Sequence, residues 1–219
     1  MKYISFSLWG TDQLYCIGAL ENAKLVNNIY KDWKMVVYYD NSVPENIINS
    51  LNELNVLTIN ANNKNMYEPF WRFLASDIND CEYAVFRDCD SRISVREKLA
   101  VDEWIRSGKI LHVMRDHPAH RVPFGASGLG ILAGMWGIKG NVISMENLIR
   151  LFSMTHENIY GVDQTFLSTI YQMFINNRCT HDPFFEKFMF PIKRENGRFI
   201  GERINPDNTP YNNDYLLVI

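Results

Sequence analysis

Short runs of β-branched and aromatic residues alternate with helical patterns over the first ninety residues, and this alternation limits the possible folds more than any other feature. The predicted strands are Tyr3–Leu8, Met35–Tyr39, Val56–Ile59 and Tyr83–Phe86. Apolar residues recur every three or four positions from Tyr15 to Trp33, and again after Pro44, which predicts helices between the strands. Strands separated by helical crossovers predict an α/β fold with a mostly parallel sheet, flanked by helices, that binds ligands at the carboxyl ends of its strands.

The pattern is less regular after residue 92. The predicted elements there are, in chain order, a helix from a capping box at Ser94–Glu97 to about Arg106, a strand at Lys109–Met114, a loop containing Gly and Pro from Arg115 to about Gly140, and helices near 144–155 and 162–176. No repeat, low-complexity linker or composition shift divides the chain. We therefore expect one domain over residues 1–219, with a nucleotide-binding half to about residue 92 and a variable half from about residue 93.

Composition excludes several classes of protein. The 219 residues are 47% hydrophobic and 21% charged, as expected of a globular chain rather than a disordered one. The net charge is -3 and no run of Lys or Arg exceeds two residues, so we expect no nucleic-acid partner. No apolar stretch approaches the ~18 residues of a membrane helix, and the N-terminal apolar run is too short for a signal peptide.

The four cysteines indicate a reducing compartment. Cys16, Cys81, Cys89 and Cys179 form neither a CxxC pair nor a metal-ligand spacing. Free thiols are typical of reducing compartments, whereas secreted chains of this size often carry disulfides. We therefore expect a cytoplasmic protein.

Two carboxylates follow the fourth predicted strand. Because side chains alternate along an extended strand, Asp88 and Asp90 are predicted to point to the same side, where both can reach one divalent cation. Hard oxygen ligands suit Mg²⁺ or Mn²⁺ that holds a diphosphate. The alternative is a solvated strand end in which the carboxylates pair with Arg87 and Arg92. The same alternation turns Arg87 away from Asp88, so Arg87 is predicted to make a structural ion pair.

Four motifs occur in order within residues 3–205: Arg87–Arg92 (RDCDSR), Arg115–Pro118 (RDHP), Ala133–Gly137 (AGMWG) and Asp163–Leu167 (DQTFL). Their order and combination resemble those of the nucleotide-sugar glycosyltransferases of the GT-A fold, and especially the small transferases of large algal DNA viruses and some bacteria. Ala133 stands where the family has glycine, which leaves the shape of that loop open. The resemblance implies a Rossmann-like GT-A sheet and, for a viral protein, the host cytoplasm.

The resemblance also implies an activity. It is metal-dependent transfer of a sugar from a UDP-sugar donor to a hydroxyl of a glycan or glycoprotein, with Mn²⁺ or Mg²⁺ as cofactor and with retention favoured. The first half of the chain would then bind the nucleotide, and the second half the sugar and the acceptor.

Donor-binding residues implied by the resemblance come from several places in the sequence. They are, in chain order, Ser7, Trp9, Gly10 and Thr11 after the first strand, Asp40 after the second, Arg72 before the fourth, Asp88, Cys89 and Asp90 after it, and Gly134 and Trp136 in the glycine-rich loop. Asp40 equally fits a turn aspartate, and Trp9 equally fits a core position. Arg72 must be paired if it is buried, with a diphosphate or Asp88 as a natural partner; otherwise it lies on an exposed helix face.

Catalytic and metal-binding residues are implied in the second half of the chain. Asp163 and Gln164 would contact the donor sugar and the acceptor, and Asp163 or Asp116 would be the general base if the reaction inverted configuration. His181 would be the third metal ligand beside Asp88 and Asp90. The alternatives are a helix N-cap for Asp163 and a structural role for His181.

The loop from Arg115 to Gly137 is implied to be the sugar-facing wall. Its glycines permit close approach of the backbone, and Asp116, His117 and His120 supply polar groups. The alternative for His117 and for His120 is an ordinary loop histidine, which is the commoner role of a lone histidine. The sequence contains no GxxxxGK[ST] motif, which disfavours a P-loop ATPase.

Two other functions remain compatible with the sequence. A sugar-phosphate nucleotidyltransferase uses similar cation and phosphate chemistry, but it usually carries a basic glycine-rich loop after its first strand, and Gly10–Gln13 has no Lys or Arg beside it. A non-catalytic module that binds a nucleotide sugar or a glycan is the alternative from another class.

Overall fold

A mixed β-sheet runs through the part of the chain that the structure, a computed structural model, describes: residues 1–121 and 130–212. Within these residues seven strands occur: β1 (Lys2–Leu8), β2 (Lys34–Tyr39), β3 (Leu57–Asn60), β4 (Tyr83–Arg87), β5 (Leu111–Met114), β6 (Met135–Lys139) and β7 (Arg178–His181). Their order across the sheet is β3-β2-β1-β4-β6-β5-β7. Only β6 is antiparallel to its neighbours, β4 and β5. The predicted α/β fold with a mostly parallel sheet is confirmed.

Helices cover both faces of this sheet. Those in residues 1–121 and 130–212 are α1 (Gln13–Ile29), α2 (Glu45–Glu53), α3 (Val95–Ser107), α4 (Met145–Ser153), α5 (Val162–Met173) and the 3-10 helices Asn62–Lys64 and Glu68–Asp77. The predicted N-cap is present at the start of α3, where Ser94 Oγ accepts from the Glu97 N–H at 3.2 Å. The reciprocal half of the predicted capping box is not formed, because the Glu97 carboxylate contacts Arg87 and Tyr30 instead. None of the helices in the described ranges is long and apolar enough to cross a membrane.

Strand alternation divides the core between the two faces. Ile4 and Phe6 of β1 pack against the side covered by α1, α2 and α3. Phe86 of β4 packs on the opposite face with Phe73 of the second 3-10 helix and Phe166 of α5. The next residue of β4, Arg87, therefore faces α3, while the chain beyond it returns to the face of the 3-10 helix.

Part of the predicted glycine-rich loop is a strand. Residues 115–140 include β6, which lies in the middle of the sheet between β4 and β5. Gly137 belongs to this strand because a Cβ there would come within 2.9 Å of the Trp104 ring and of the Ala84 carbonyl oxygen. The glycine that suggested a loop is required for close packing of α3 on the sheet.

One further strand was not predicted. β7 was missed because Arg178–His181 has no apolar alternation, and of its four residues only His181 is buried. The apolar segment before β4 is a 3-10 helix in which all seven residues from Phe70 to Ser76 are buried. It lies against β1 and β4 with α4 on its other side, which carries Arg72 into the interior.

Candidate active site

A cleft of about 360 Å³ opens at the carboxyl ends of β1 and β4. We call it the central cleft; it is lined by the end of β1, the 3-10 helix around Arg72, the turn after β4, residues 132–135 before β6, and residues 160–164 at the start of α5. This is the edge where an α/β sheet is expected to bind its ligand. The volume is sufficient for a small molecule.

Asp88 and Asp90 both line the central cleft, but not because the strand continues. The backbone turns after Arg87, and the Ser91 N–H donates to the Asp88 carbonyl oxygen at 3.3 Å. Cys89, between the two carboxylates, directs its thiol away from solvent to the Ser7 carbonyl oxygen at 3.4 Å. The prediction that both carboxylates share one side is confirmed, whereas the extended backbone assumed for it is wrong.

Arg72 joins two carboxylates of the cleft. Its guanidinium donates to Asp88 at 2.6 Å and to Asp163 at 3.1 Å. The Arg72 side chain is only 6% exposed, so it is buried and paired, with Asp88 as one predicted partner. A planar guanidinium holds both carboxylates in fixed directions, and removal of Arg72 would leave the buried Asp163 charge uncompensated.

Asp163 and Gln164 begin α5 and both line the cleft. One Asp163 oxygen accepts from Arg72, and the other accepts from the Gln164 N–H at 2.9 Å. Burial raises the pKa of Asp163, although the neighbouring Arg72 opposes that rise. The side-chain oxygen of Gln164 is buried and has no hydrogen-bond partner among the described residues. An unpaired buried acceptor at a cleft wall is the kind of group that a ligand satisfies.

Asp90 has a different environment from Asp88. Burial, followed by the negative charge of Asp88, raises the pKa of Asp90 to about 6. Arg203, from the C-terminal part of the chain, contacts Asp90 at 3.4 Å and partly offsets this rise. The turn thus concentrates negative charge in a partly buried place, which a divalent cation would stabilise.

The donor set fits Mg²⁺ or Mn²⁺. Asp88 and Asp90 supply carboxylate oxygens, the ligands these hard cations prefer. In residues 1–121 and 130–212 no group of three or more His, Cys, Asp or Glu side chains is arranged to hold a metal ion alone. A cation bound here would therefore take its remaining ligands from water and from the diphosphate of a ligand, as Mg²⁺ sites with one or two carboxylates commonly do.

Gly134 and Arg87 shape the cleft from behind the carboxylates. A Cβ at Gly134 would overlap the Asp88 carboxylate, so only glycine leaves room for that side chain in its observed position. The Gly134 carbonyl oxygen accepts from Arg87 at 2.6 Å. Arg87 also forms a fully buried ion pair with Glu97 of α3 at 3.3 Å, which confirms its predicted structural role.

The predicted nucleoside-binding residues lie around the end of β1. Ser7 is buried, and its hydroxyl accepts from the Arg72 N–H at 2.9 Å. Trp9 lines the cleft and is 41% exposed, so it is not a core residue. Gly10 lies beyond the lining with φ of +72°, and its N–H donates to the Ser42 hydroxyl at 2.6 Å. Thr11 is exposed beside it.

Asp40 makes contacts within its own turn. It accepts from the Ser42 N–H at 3.1 Å and also contacts the Ser42 hydroxyl. The turn alternative for Asp40 is therefore present in the structure. Through Ser42, the same turn is connected to Gly10 at the end of β1.

Two predicted site residues are buried away from the cleft. Trp136 of β6 is fully buried, with ring centroids 4.3 Å from Phe86 and 5.2 Å from Phe73, because its strand position faces the core. Asp116 is also fully buried; its carboxylate accepts from Arg96 at 2.8 and 2.9 Å and from Arg194 at 2.5 Å. These bonds leave Asp116 as an anchor for the C-terminal segment and not as a base at the cleft.

His181 is not beside Asp88 and Asp90. It ends β7, three strand positions from β4, so roughly 14 Å of sheet lies between them. The His181 ring lies 2.9 Å from His112 and 3.4 Å from Glu103, on the side of α3. Burial lowers the pKa of both histidines. The structural alternative for His181 describes its position; the predicted role as third metal ligand has no geometric support.

The sequence analysis missed or gave little weight to three residues: Tyr160 and His120 line the cleft, and Arg203 lies beside it. Tyr160 lines the cleft and is 95% exposed. Arg203 is placed by an isolated β-bridge to Ser91, and nothing in its aperiodic surroundings marks it. His120 lines the cleft while its Nδ1 accepts from the Asp116 N–H at 3.0 Å, and burial lowers its pKa to about 3. His120 is therefore a neutral ring whose proton is on Nε2.

Comparison with solved structures identifies the fold. No protein-family profile and no curated protein sequence matches this chain. Among solved structures, the glycosyltransferase GlyE of Streptococcus pneumoniae TIGR4 superposes with a TM-score of 0.53 at 17% identity, over 83% of this chain and 45% of that one. The chain has the fold of glycosyltransferases.

Two other solved structures extend this likeness. Mycobacterium tuberculosis glucosyl-3-phosphoglycerate synthase, in complex with Mn²⁺, UDP and phosphoglyceric acid, matches with a TM-score of 0.50 at 14% identity, over 82% of this chain and 67% of that one. An active-site mutant of LgtC matches with a TM-score of 0.50 at 14% identity, over 84% of this chain and 73% of that one. The chain spans less than half of GlyE and about two thirds to three quarters of the other two.

Proposed function

We propose that this protein is a glycosyltransferase that uses a divalent cation to transfer a sugar from a UDP-sugar to a hydroxyl group of a glycan or glycoprotein. The observation that carries the proposal is the central cleft, where Asp88 and Asp90 lie beside the buried Arg72–Asp163 pair at the carboxyl edge of the sheet. The glycosyltransferase fold supports the activity. The Mycobacterium tuberculosis structure, which holds Mn²⁺ and UDP, supports the cation and the nucleotide.

Asp88 and Asp90 would hold the cation and orient the diphosphate. A divalent cation bound there neutralises negative charge that develops on the departing diphosphate. Arg72 keeps Asp88 in place and offsets part of the negative charge beside it. The end of β1 would bind the nucleoside, with Trp9 as the exposed ring at that side of the cleft.

The start of α5 would orient the sugar and the acceptor. Gln164 offers an unpaired side-chain oxygen that can accept from a hydroxyl group. Both Asp163 oxygens already accept hydrogen bonds, so this carboxylate is better suited to position a hydroxyl than to remove its proton. An arrangement without a free base favours a retaining reaction, in which the leaving phosphate takes the proton from the acceptor.

The test measures UDP binding with and without Mn²⁺. We expect UDP at about 100 times its Kd to stabilise the protein by about 3 kcal/mol, which raises the melting temperature by roughly 5–10 °C only when Mn²⁺ is present. Asp90→Asn should remove the Mn²⁺-dependent shift. The matched control is Asp102→Asn, on the surface of α3, where Asp102 pairs with Lys98; it should keep the full shift.

Release of UDP from a panel of UDP-sugars then separates the candidate functions. Release that requires Mn²⁺ and is lost in Asp90→Asn supports a transferase. UDP binding without release, across a broad acceptor set, would indicate a non-catalytic binding module. Equal UDP binding with and without Mn²⁺ would contradict the cation site, and no UDP binding would contradict the proposal as a whole.

A further inference from the structure

The mouth of the central cleft carries an aromatic ring that the fold leaves uncovered. Tyr160 is 95% exposed, although it lines the cleft beside Asp163 and Gln164. Its position is set by the turn that begins α5: Gly161 has φ of +82°, and the Val162 N–H donates to the Ile159 carbonyl oxygen at 3.1 Å. Because the Tyr160 ring does not pack against other side chains of the described residues, its face is available to a ligand.

Trp9, Tyr15 and Tyr67 also line the cleft, and two of these rings are held by neighbouring rings. Tyr67 contacts Phe70 edge-on at 6.4 Å, and Trp9 contacts Trp71 edge-on at 6.5 Å. Both remain partly exposed within the lining. Aromatic rings supply a large apolar contact at a low entropy cost, and their flat faces match the C–H face of a pyranose ring.

The charges of the cleft oppose an anionic acceptor. Within the described residues the basic side chains of its lining are Arg72, bound by Asp88 and Asp163, and the neutral His120. Arg203, nearby, is bound to Asp90. Three carboxylates thus face two guanidinium groups, and a UDP-sugar with a divalent cation would leave that excess unchanged because their charges cancel.

The residues outside the described ranges cannot add a basic side chain to the cleft. Residues 122–129 and 213–219, outside the described ranges, contain no Lys, Arg or His in the sequence. An acceptor with a phosphate or a carboxylate would therefore meet excess negative charge, at a cost without a compensating ion pair. Phosphoglyceric acid, which is present in the Mycobacterium tuberculosis structure, is an anion of this kind.

We propose that the acceptor is an uncharged carbohydrate whose sugar ring stacks on Tyr160 at the mouth of the central cleft, an inference that rests on the proposed function. Tyr160 determines the acceptor, whereas the Asp88–Asp90 turn holds the donor. The stacked ring places a hydroxyl group toward Gln164, whose free oxygen can accept from it.

The experiment measures acceptor and donor binding on the same samples. The affinity for UDP with Mn²⁺ is first determined by calorimetry. The protein loaded with UDP and Mn²⁺ is then applied to an array of neutral, sialylated, sulfated and phosphorylated glycans, and 3-phosphoglycerate is tested by calorimetry. The variants are Tyr160→Ala, Tyr160→Phe, which keeps the ring, and Ile159→Ala, the matched control at the neighbouring exposed position outside the cleft lining.

We expect binding to neutral glycans that weakens about tenfold in Tyr160→Ala and stays near the wild-type level in Tyr160→Phe and Ile159→Ala. With a neutral acceptor identified, Tyr160→Ala should raise the acceptor KM by the same factor and change kcat little. Binding only to anionic glycans or to 3-phosphoglycerate, binding to no glycan, or equal binding by Tyr160→Ala would overturn the inference. Loss of UDP binding in the wild type would instead contradict the proposed function, and the acceptor inference with it.

Discussion

Gly134 provides a test of the carboxylate geometry that does not alter any charged residue. An added Cβ would overlap one Asp88 carboxylate oxygen and lie 3.0 Å from the Asp88 backbone nitrogen. The φ of Gly134 is not positive, so alanine is compatible with the backbone. Because the obstructing atoms belong to the end of a side chain, Gly134→Ala should displace the Asp88 carboxylate with little change in the fold.

The magnitude follows from the contacts that Asp88 would lose. Rotation of the carboxylate breaks its 2.6 Å bond with Arg72 and removes it from the position beside Asp90. A hydrogen bond between charged groups contributes about 1.5–3 kcal/mol. The Arg72 bond is present without ligand, so its loss lowers stability. Loss of an Asp88–cation contact of the same size from the bound state corresponds to about 10- to 150-fold weaker Mn²⁺-dependent binding of UDP.

Calorimetry with UDP and Mn²⁺ measures this effect, and urea unfolding measures the accompanying change in stability. Gly137→Ala is the matched control, because its Cβ would meet Trp104 and the Ala84 carbonyl oxygen in the core and not the cleft. We expect Gly134→Ala to lose UDP affinity with a loss of stability no larger than the Asp88–Arg72 bond supplies, and Gly137→Ala to lose stability at nearly constant UDP affinity. Affinity within twofold of the wild type in Gly134→Ala would refute the argument that this glycine fixes Asp88.

Two further predictions concern stability. Arg72→Met should lower the free energy of unfolding by about 3 kcal/mol in urea unfolding, since Asp163 loses its buried partner; a loss below about 1 kcal/mol would contradict that pairing. Burial lowers the pKa of His112 and His181 from 6.5, so below that pH the unfolded chain binds more protons than the folded one. Stability should therefore fall between pH 6.5 and about 5, and the fall should be smaller in His112→Gln; identical pH profiles would refute this.

The local pattern predicted most of the fold because it reports which face of each element is buried. Ile4 and Phe6 alternate with polar positions in β1, and Ser94 and Glu97 mark the start of α3 through a hydrogen bond between near neighbours. The prediction of a loop in place of β6 failed because a contact between distant residues, and not the local pattern, explains the glycine in this strand. Gly137 is in the strand to accommodate Trp104, thirty-three residues away in the sequence, and a single-sequence pattern contains no record of that contact.

For the candidate site too, the local sequence predicted some residues correctly and the three-dimensional packing decided the others. Asp88, Asp163 and Gln164 were found from short motifs, and each lies where a strand or helix begins or ends. Trp136, in the same motif as Gly134, is in the core because it lies within β6 and packs on Phe86 and Phe73, whereas Gly134 precedes the strand. A motif identified which residues are near the cleft, but only the strand geometry decides which of them face it.

Arg203 shows why the electrostatics of the cleft were the least predictable part. It lies 113 positions after Asp90, in a segment without regular alternation, and main-chain contacts place it: in the bridge between Arg203 and Ser91, the Ile204 N–H donates to the Asp90 carbonyl oxygen at 2.7 Å. Those contacts align the tail with the turn that carries the carboxylates. The charge beside Asp90 is therefore set by main-chain pairing, which any residue types can make, so the sequence near Arg203 gives no indication of its partner.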